Sequence, residues 1–366
     1  MRDLQDSAYL EMAYALAEKA RGWASPNPLV GAVCVKSGRV VGCGYHEKPG
    51  QPHAEAVALK QAGALARGST LYVTLEPCVH WGRTPPCVEA IIRAKPKRVV
   101  VSSLDPNPIV FKKGIKRLRE AGMEVCSGLL EDRNARLNEA YIKYITTGIP
   151  LVTLKAALSL DARIASRNLD SRWISSPGSR EYTHLLRGEH DAIMVGVNTI
   201  IQDDPLLTVR HPGWKKKKIL RLVVDSQLRL PLRARILSTL DEGPLCLLTS
   251  SRAPRKKEDA LRERGVEVVR LPGTSGKVSL PDALSWLGRK EISSVLVEGG
   301  SRLLTALVEA KLADKLFLVI SPLLIGGEKA PSFLEGKGVR RVQDALELER
   351  VSTFSIGPDI LLEGYF

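Results

Sequence analysis

The residues best suited to chemistry by type and spacing are His53, Glu55, Cys78 and Cys87. His53-Ala54-Glu55 opens an Ala-rich helical stretch, Ala54 to Leu65, and each cysteine follows a proline, in Pro77-Cys78 and Pro86-Cys87. One imidazole and two thiolates supply three zinc ligands and leave the fourth position for water, as in catalytic zinc centres. Thiolates at helix N-termini are stabilised by free N–H groups and by the dipole. Those N–H groups also draw electron density from sulfur, so the metal can still acidify its water. Glu55, two residues from the ligand, is free to carry a proton. A closed structural site would need a fourth ligand, for which His80 is the nearby candidate, and would have no use for Glu55.

A His-x-Glu followed by Pro-Cys and a second Cys is the pattern of zinc deaminases, whose products are ammonia and a carbonyl. Eight residues separate the cysteines here, where the nucleic-acid enzymes have two, so the pattern matches the class and not that branch. Further segments carry a closer resemblance: Pro26-Asn27-Pro28-Leu29-Val30-Gly31, TLEPCVHWGRTPPC from Thr74 to Cys87, and Asp105-Pro106-Asn107-Pro108. With His53-Ala54-Glu55 they resemble the deaminase half of the bacterial bifunctional riboflavin biosynthesis proteins. The resemblance implies a cytidine-deaminase-like α/β/α domain that deaminates 2,5-diamino-6-ribosylamino-4(3H)-pyrimidinone 5′-phosphate. It implies one zinc per chain on His53, Cys78 and Cys87, with Glu55 as acid/base. Asn27, His46 and His80 match positions that hold the pyrimidine; without the family each reads as a turn or surface residue.

The second half resembles the reductase half of the same family, which has a dihydrofolate-reductase-like α/β fold. The matching segments are Lys155 to Asp161, Ser171 to Ser175, Asp203 to Arg210, Val224-Asp225-Ser226 and Val297-Glu298-Gly299-Gly300. The resemblance implies NADPH-dependent reduction of a ribosyl side chain to ribityl. Ala157, Trp173, Thr199, Asp203, Ser226, Gly300, Ser301, Arg302, Leu303, Leu304, Thr305 and Ala306 match cofactor positions. Lys155, Ser171, Arg187, Leu207, Arg210 and Glu298 match substrate positions. The residues themselves say less. A Gly-Gly turn between a strand and a helix allows close approach of an anion, and guanidinium groups suit a sugar phosphate. No G-x-G-x-x-G follows the first strand of this half, which argues against a Rossmann fold. The family usually has glycine where Ala162 and Lys112 stand; a positive φ at Ala162 would strain the backbone.

The elements that must position these residues follow from pattern. Ser7–Arg21 reads as a helix, Leu29–Val35 with Arg39–Tyr45 as a hairpin, Thr70–Leu75 and Arg98–Ser102 as strands. Pro86–Ala94, Gly114–Ala121 and Glu131–Tyr144 read as helices, giving a mixed sheet with helices on both faces. A boundary falls at Thr146–Pro150, placing a deaminase domain at 1–146 and a reductase domain at 150–366. The second half alternates apolar strands, beginning with Leu151–Ala157, with amphipathic helices and ends in two β-rich segments, Leu346–Ser355 and Asp359–Tyr365.

The 366 residues carry 54 Lys and Arg against 40 Asp and Glu, a net charge of +14. Such a chain attracts phosphates, on nucleic acid or on metabolites. Aromatic residues are only 5% and are not interleaved with the basic ones, so no nucleic-acid surface is expected. The run Lys215–Lys218 reads as a solvated loop tip. The six cysteines are expected to be reduced, because neither a secretory leader nor a membrane span is read and the cytoplasm is the expected compartment. Small phosphorylated pyrimidines are the expected partners, with no membrane and a homo-oligomer. The rival functions are a nucleic-acid or nucleoside zinc deaminase with a non-catalytic C-terminal domain, and a silent scaffold with degenerate sites.

Overall fold

The computed structural model describes every residue except Met1, Arg83, Lys215, Lys216, Thr274 and Ser275. The chain forms two compact units, Met1–Gly148 and Ile149–Phe366.

The first unit runs α1 (Arg2–Ala17), β1 (Gly31–Lys36), β2 (Arg39–Tyr45), α2 (Ala54–Ala62), β3 (Thr70–Leu75), α3 (Cys87–Ala94) and β4 (Arg98–Ser103). It ends in α4 (Lys113–Glu120), β5 (Glu124–Ser127), α5 (Glu131–Leu137) and α6 (Glu139–Thr147). The sheet order is β2-β1-β3-β4-β5, antiparallel at β2-β1-β3 and parallel from β3 to β5. Alternate strand residues face opposite layers. Ala32, Cys34, Leu71, Val73, Val99 and Val101 pack with α2, α3 and α4, while Val33, Tyr72 and Val100 pack with Leu10 and Ala13 of α1.

Two details differ from the sequence reading. β5 was not expected: its four residues, Glu-Val-Cys-Ser, are too few to show a period. The helix expected over Glu131–Tyr144 divides at Asn138, whose side chain accepts from Leu29 N–H (2.7 Å) and donates to Leu29 C=O (3.1 Å).

The second unit holds β6 (Leu151–Ser159), α7 (Pro177–Glu189), β7 (Ala192–Gly196), α8 (Val197–Asp203), β8 (Leu220–Val224), β9 (Leu245–Ser250) and α9 (Arg255–Arg262). It continues with β10 (Glu267–Leu271), α10 (Leu280–Arg289), β11 (Ser294–Glu298), α11 (Ser301–Glu309), β12 (Lys315–Ser321), β13 (Glu349–Ile356) and β14 (Asp359–Tyr365). Nine strands line up as β10-β9-β8-β7-β11-β6-β12-β14-β13, parallel as far as β12 and antiparallel beyond it. Central strands such as β11 (Ser-Val-Leu-Val-Glu) are buried along their whole length, as expected for a sheet covered on both faces.

The lysine run is not a simple loop tip. Lys215 and Lys216 lie outside the described residues, but Lys217 turns inward and donates to the carbonyls of Gly188 (2.6 Å) and His190 (2.8 Å). Burial pushes its ammonium down to about 8. The amine satisfies orphan carbonyls at the C-terminal end of α7, which sequence periodicity could not show. Trp214 packs beside it on Gly188, where a Cβ would come within 2.6 Å of the indole ring.

Both positions that depart from the family glycine have left-handed backbones, with φ of 62° at Ala162 and 62° at Lys112. The strain anticipated at Ala162 is therefore present, and Lys112 shares it.

Candidate active sites

In the first unit three helix and strand ends converge. His53 is the N-cap of α2, which puts Glu55 in the first turn of that helix. Cys78 lies beyond the end of β3, and Cys87 is the first residue of α3. His53 Nδ1 stands 3.0 Å from Cys87 Sγ and 3.6 Å from Cys78 Sγ, and the three ligand atoms lie within 4.8 Å of one another. Zinc bonds of ~2.0–2.3 Å in a tetrahedron place ligand atoms roughly 3.5–3.8 Å apart, so the set fits that ion.

Thr84 Oγ1 meets His53 Nε2 at 3.1 Å and leaves Nδ1 for the metal. The Cys87 backbone N–H donates to Cys78 Sγ at 3.3 Å, so the N-terminus of α3 stabilises that sulfur as an anion. The Cys87 thiol's hydrogen bond and then the His53 contact bring Cys78 down to about 4, while that same bond and burial push Cys87 up. Glu55 is buried, burial raises its carboxyl, and Oε2 has no hydrogen-bond partner. An orphaned, buried carboxylate oxygen beside an N/S/S cluster fits a centre that handles a proton.

Asn27 and His46 join this site. Asn27 Nδ2 and His46 Nε2 are 2.9 Å apart, His46 Nδ1 is 3.2 Å from Pro52 O, and the His46 ring meets His53 edge-on at 5.0 Å. His80 lies on the loop after Cys78 with a buried, unpartnered Nδ1. Arg83, within the Gly82–Pro86 segment, lies outside the described residues.

In the second unit a cavity of about 1570 Å³ opens at the carboxyl ends of the parallel strands β6, β11, β7 and β8, the usual ligand position in such sheets. All residues expected to bind cofactor or substrate line it except Thr305, whose Oγ1 instead accepts from Glu335 N–H (2.9 Å). Gly299 (φ 87°) ends β11, and a Cβ there would come within 2.6 Å of Thr199 Oγ1. The N-terminus of α11 lines the cavity and has no side-chain cap at Gly300, an arrangement suited to an anion.

Deeper in, Arg187 grips Glu298 with two bonds of 2.7 Å. Burial opposes the charge on Glu298, but Arg187 outweighs it and holds the carboxyl at about 2. Lys155, buried beside this pair, is lowered by that burial. Sequence reasoning missed His184, which lines the same cavity and accepts from Arg210 N–H (3.2 Å). Its signal was the three-residue offset from Arg187 on α7, one helix face. Burial, then Arg187 and Arg210, hold His184 at about 4.

The family models agree with this geometry. The RibD C-terminal domain matches residues 150–362, and the cytidine and deoxycytidylate deaminase zinc-binding region matches residues 3–103. The chain belongs to the RibD family. It is 44% identical over 357 residues to the riboflavin biosynthesis protein RibD of Aquifex aeolicus, covering 98% of this chain and 97% of that one. The Escherichia coli RibD is 39% identical, covering 98% and 99%.

Among solved structures, an Acinetobacter baumannii RibD superposes with a TM-score of 0.87 at 34% identity, covering 100% of this chain and 99% of that one. A Thermotoga maritima diaminohydroxyphosphoribosylaminopyrimidine deaminase/5-amino-6-(5-phosphoribosylamino)uracil reductase does so at 0.86 and 32%, with the same coverage. As a family member the chain is a two-activity enzyme of riboflavin biosynthesis, a zinc-dependent deaminase followed by an NADPH-dependent reductase. The rival readings, a non-catalytic second half and a silent scaffold, fall with that match. Among the described residues no helix is long and apolar enough to cross a membrane.

Proposed function

We propose that His53 Nδ1, Cys78 and Cys87 hold the zinc, that Glu55 moves the proton, and that Asn27, His46 and His80 hold the pyrimidine ring. The substrate is then 2,5-diamino-6-ribosylamino-4(3H)-pyrimidinone 5′-phosphate, and the exocyclic C–NH2 bond at a ring carbon is exchanged for C–O as ammonia leaves, the ring staying intact. When bound, zinc supplies the Lewis acidity that lets a water ionise near neutral pH. Glu55 takes that proton at Oε2 and returns it to the departing nitrogen. Burial suits it to this task, since a carboxyl raised by desolvation holds a proton more readily than a solvated one.

The product, 5-amino-6-(5-phosphoribosylamino)uracil, is reduced in the second unit to its ribityl counterpart. NADPH, when bound along Ala157, Trp173, Thr199, Asp203, Ser226 and the first turns of α11, supplies the hydride. Lys155, Ser171, Leu207, Arg187, Arg210 and Glu298 hold the sugar phosphate and its opened ribose. Lys155 is our candidate for giving up a proton, because burial loosens its hold on one.

The observation that carries the deaminase reading is the meeting of His53 Nδ1, Cys78 and Cys87 beside the unpartnered Oε2 of Glu55. Glu55→Gln tests it: zinc content should persist while ammonia release falls by roughly 10²–10⁴-fold. Ammonia release at the wild-type rate would end the assignment.

We further propose a cytoplasmic homo-oligomer that binds neither nucleic acid nor membrane. In the second unit residues 334–347 and 349–355 are exposed throughout, including Val342 (91%), Leu346 (54%) and Val351 (51%), beside the open edge of β13. Apolar side chains this bare, set among charged ones beside an unpaired strand edge, favour burial against a second copy. A solution mass equal to one chain would refute it.

A further inference from the structure

Glu76 is a buried carboxylate that the chemistry above does not use. It follows β3, stands two residues before Cys78 and is 3% exposed. Its backbone N–H donates to Ser103 O (2.9 Å), continuing the pairing of β3 with β4. Its side chain crosses to the N-terminus of α4. There Oε2 accepts from the N–H of Lys112 (3.0 Å) and Asp105 (3.4 Å), and Oε1 accepts from the N–H of Ile115 (3.1 Å).

The helix needs this acceptor. First-turn N–H groups have no partner within a helix, and α4 starts from a left-handed Lys112 with no side-chain cap and no acidic residue in its first turn. The same helix end presses on the next residue of the metal loop. A Cβ built at Gly114 would overlap the Pro77 carbonyl oxygen and come within 3.0 Å of Glu76 Cγ. The stretch Glu76-Pro77-Cys78 is therefore held twice by one turn of α4, first through the carboxylate and then through the bare Gly114. Cys78 Sγ is the next group along, and its angle to His53 and to Cys87 N–H depends on where that stretch rests.

We propose that Glu76 is a positioning residue of the metal centre: by docking the first turn of α4 on Pro77 it sets the place of the Cys78 ligand, with Gly114 as its counterpart. This rests on reading His53, Cys78 and Cys87 as the ligands. The test uses the full-length chain stripped of metal and reloaded with zinc or Co²⁺, comparing wild type with Glu76→Ala, Glu76→Gln and Gly114→Ala. Zinc affinity is measured by competition with a chromophoric chelator, and ligand geometry by the Co²⁺ d–d bands. The thermal transition of the metal-free first unit reports that each variant is folded there before metal is added, and NADPH binding reports the same for the second unit.

Glu76→Ala and Gly114→Ala should each weaken zinc by about 10- to 100-fold and shift the cobalt bands. Glu76→Gln, which keeps one acceptor oxygen, should fall between them and wild type. Gly114→Ala keeps the Glu76 charge, so an effect common to both variants is geometric. Variants that melt earlier yet bind zinc with wild-type affinity and give the wild-type cobalt spectrum would overturn the proposal and leave Glu76 a packing residue. A wild-type chain that takes up neither metal would instead overturn the ligand assignment itself.

Discussion

Asp105 offers a quantitative test of how the first unit is built. It begins the Asp105-Pro106-Asn107-Pro108 loop, is 5% exposed, and its Oδ1 accepts from Tyr141 OH (2.8 Å) and Asn107 N–H (2.9 Å). Burial outweighs these bonds and pushes the carboxyl from 3.8 up to about 6. An acid that holds its proton more tightly when folded favours folding most below its unfolded value. That advantage is lost as pH rises from 3.8 to about 6 and stays lost above. A displacement of this size corresponds to about 3 kcal/mol withdrawn at pH 8.

Asp105→Asn keeps the oxygen that both donors use and removes the charge. It should stabilise the unit by about 1–3 kcal/mol at pH 8, because the amide carries its own burial cost, and by almost nothing at pH 4. Calorimetry of the full chain would measure this, following the transition that moves with zinc. At ~2–4 °C per kcal/mol for a unit of this size, the shift at pH 8 is several degrees. A shift that is the same at both pH values, or a loss of stability at pH 8, would refute the argument.

Other outcomes follow from the same structure. Ala162→Gly and Lys112→Gly each relieve a left-handed residue and should stabilise by ~0.5–1 kcal/mol after glycine's entropy cost. They lie in different units, so the double variant should show the sum in denaturant melts. Glu298→Gln leaves Arg187 buried without its counter-charge and should cost about 3–5 kcal/mol in urea unfolding of the second unit. The Glu298 contribution is present above pH 4.5 and fades as pH falls toward 2, so the variant and wild type should converge in acid.

Much of the architecture was legible because strands and helices carry their own period. The central strands of the second half stand where their apolar runs are, and the hairpin turns at Ser37 and Gly38, both with positive φ. The His53, Cys78 and Cys87 cluster was legible because its motifs are local: a His-x-Glu at a helix start and two Pro-Cys pairs, one after a strand and one at a helix start, need no tertiary knowledge to be noticed. Residues whose role is a single long-range contact were not legible. Thr84 on His53, Asn138 on Leu29, Lys217 on the end of α7 and Glu76 on α4 are ordinary polar side chains until the chain brings a partner to them. The cavity of the second unit was legible only through family resemblance, since lone arginines and one Gly-Gly turn do not announce a site.

The most direct test of the account follows one substrate through both units. Purified chain is incubated with the diaminopyrimidine ribosyl phosphate, with and without NADPH, and the quenched mixtures are read by mass spectrometry. Without NADPH the product should have exchanged an NH group for oxygen, with one ammonia released per turnover. With NADPH the same skeleton should gain two further hydrogens. Two hydrogens added to a substrate that still carries its amine, or no ammonia from a zinc-loaded chain, would contradict it.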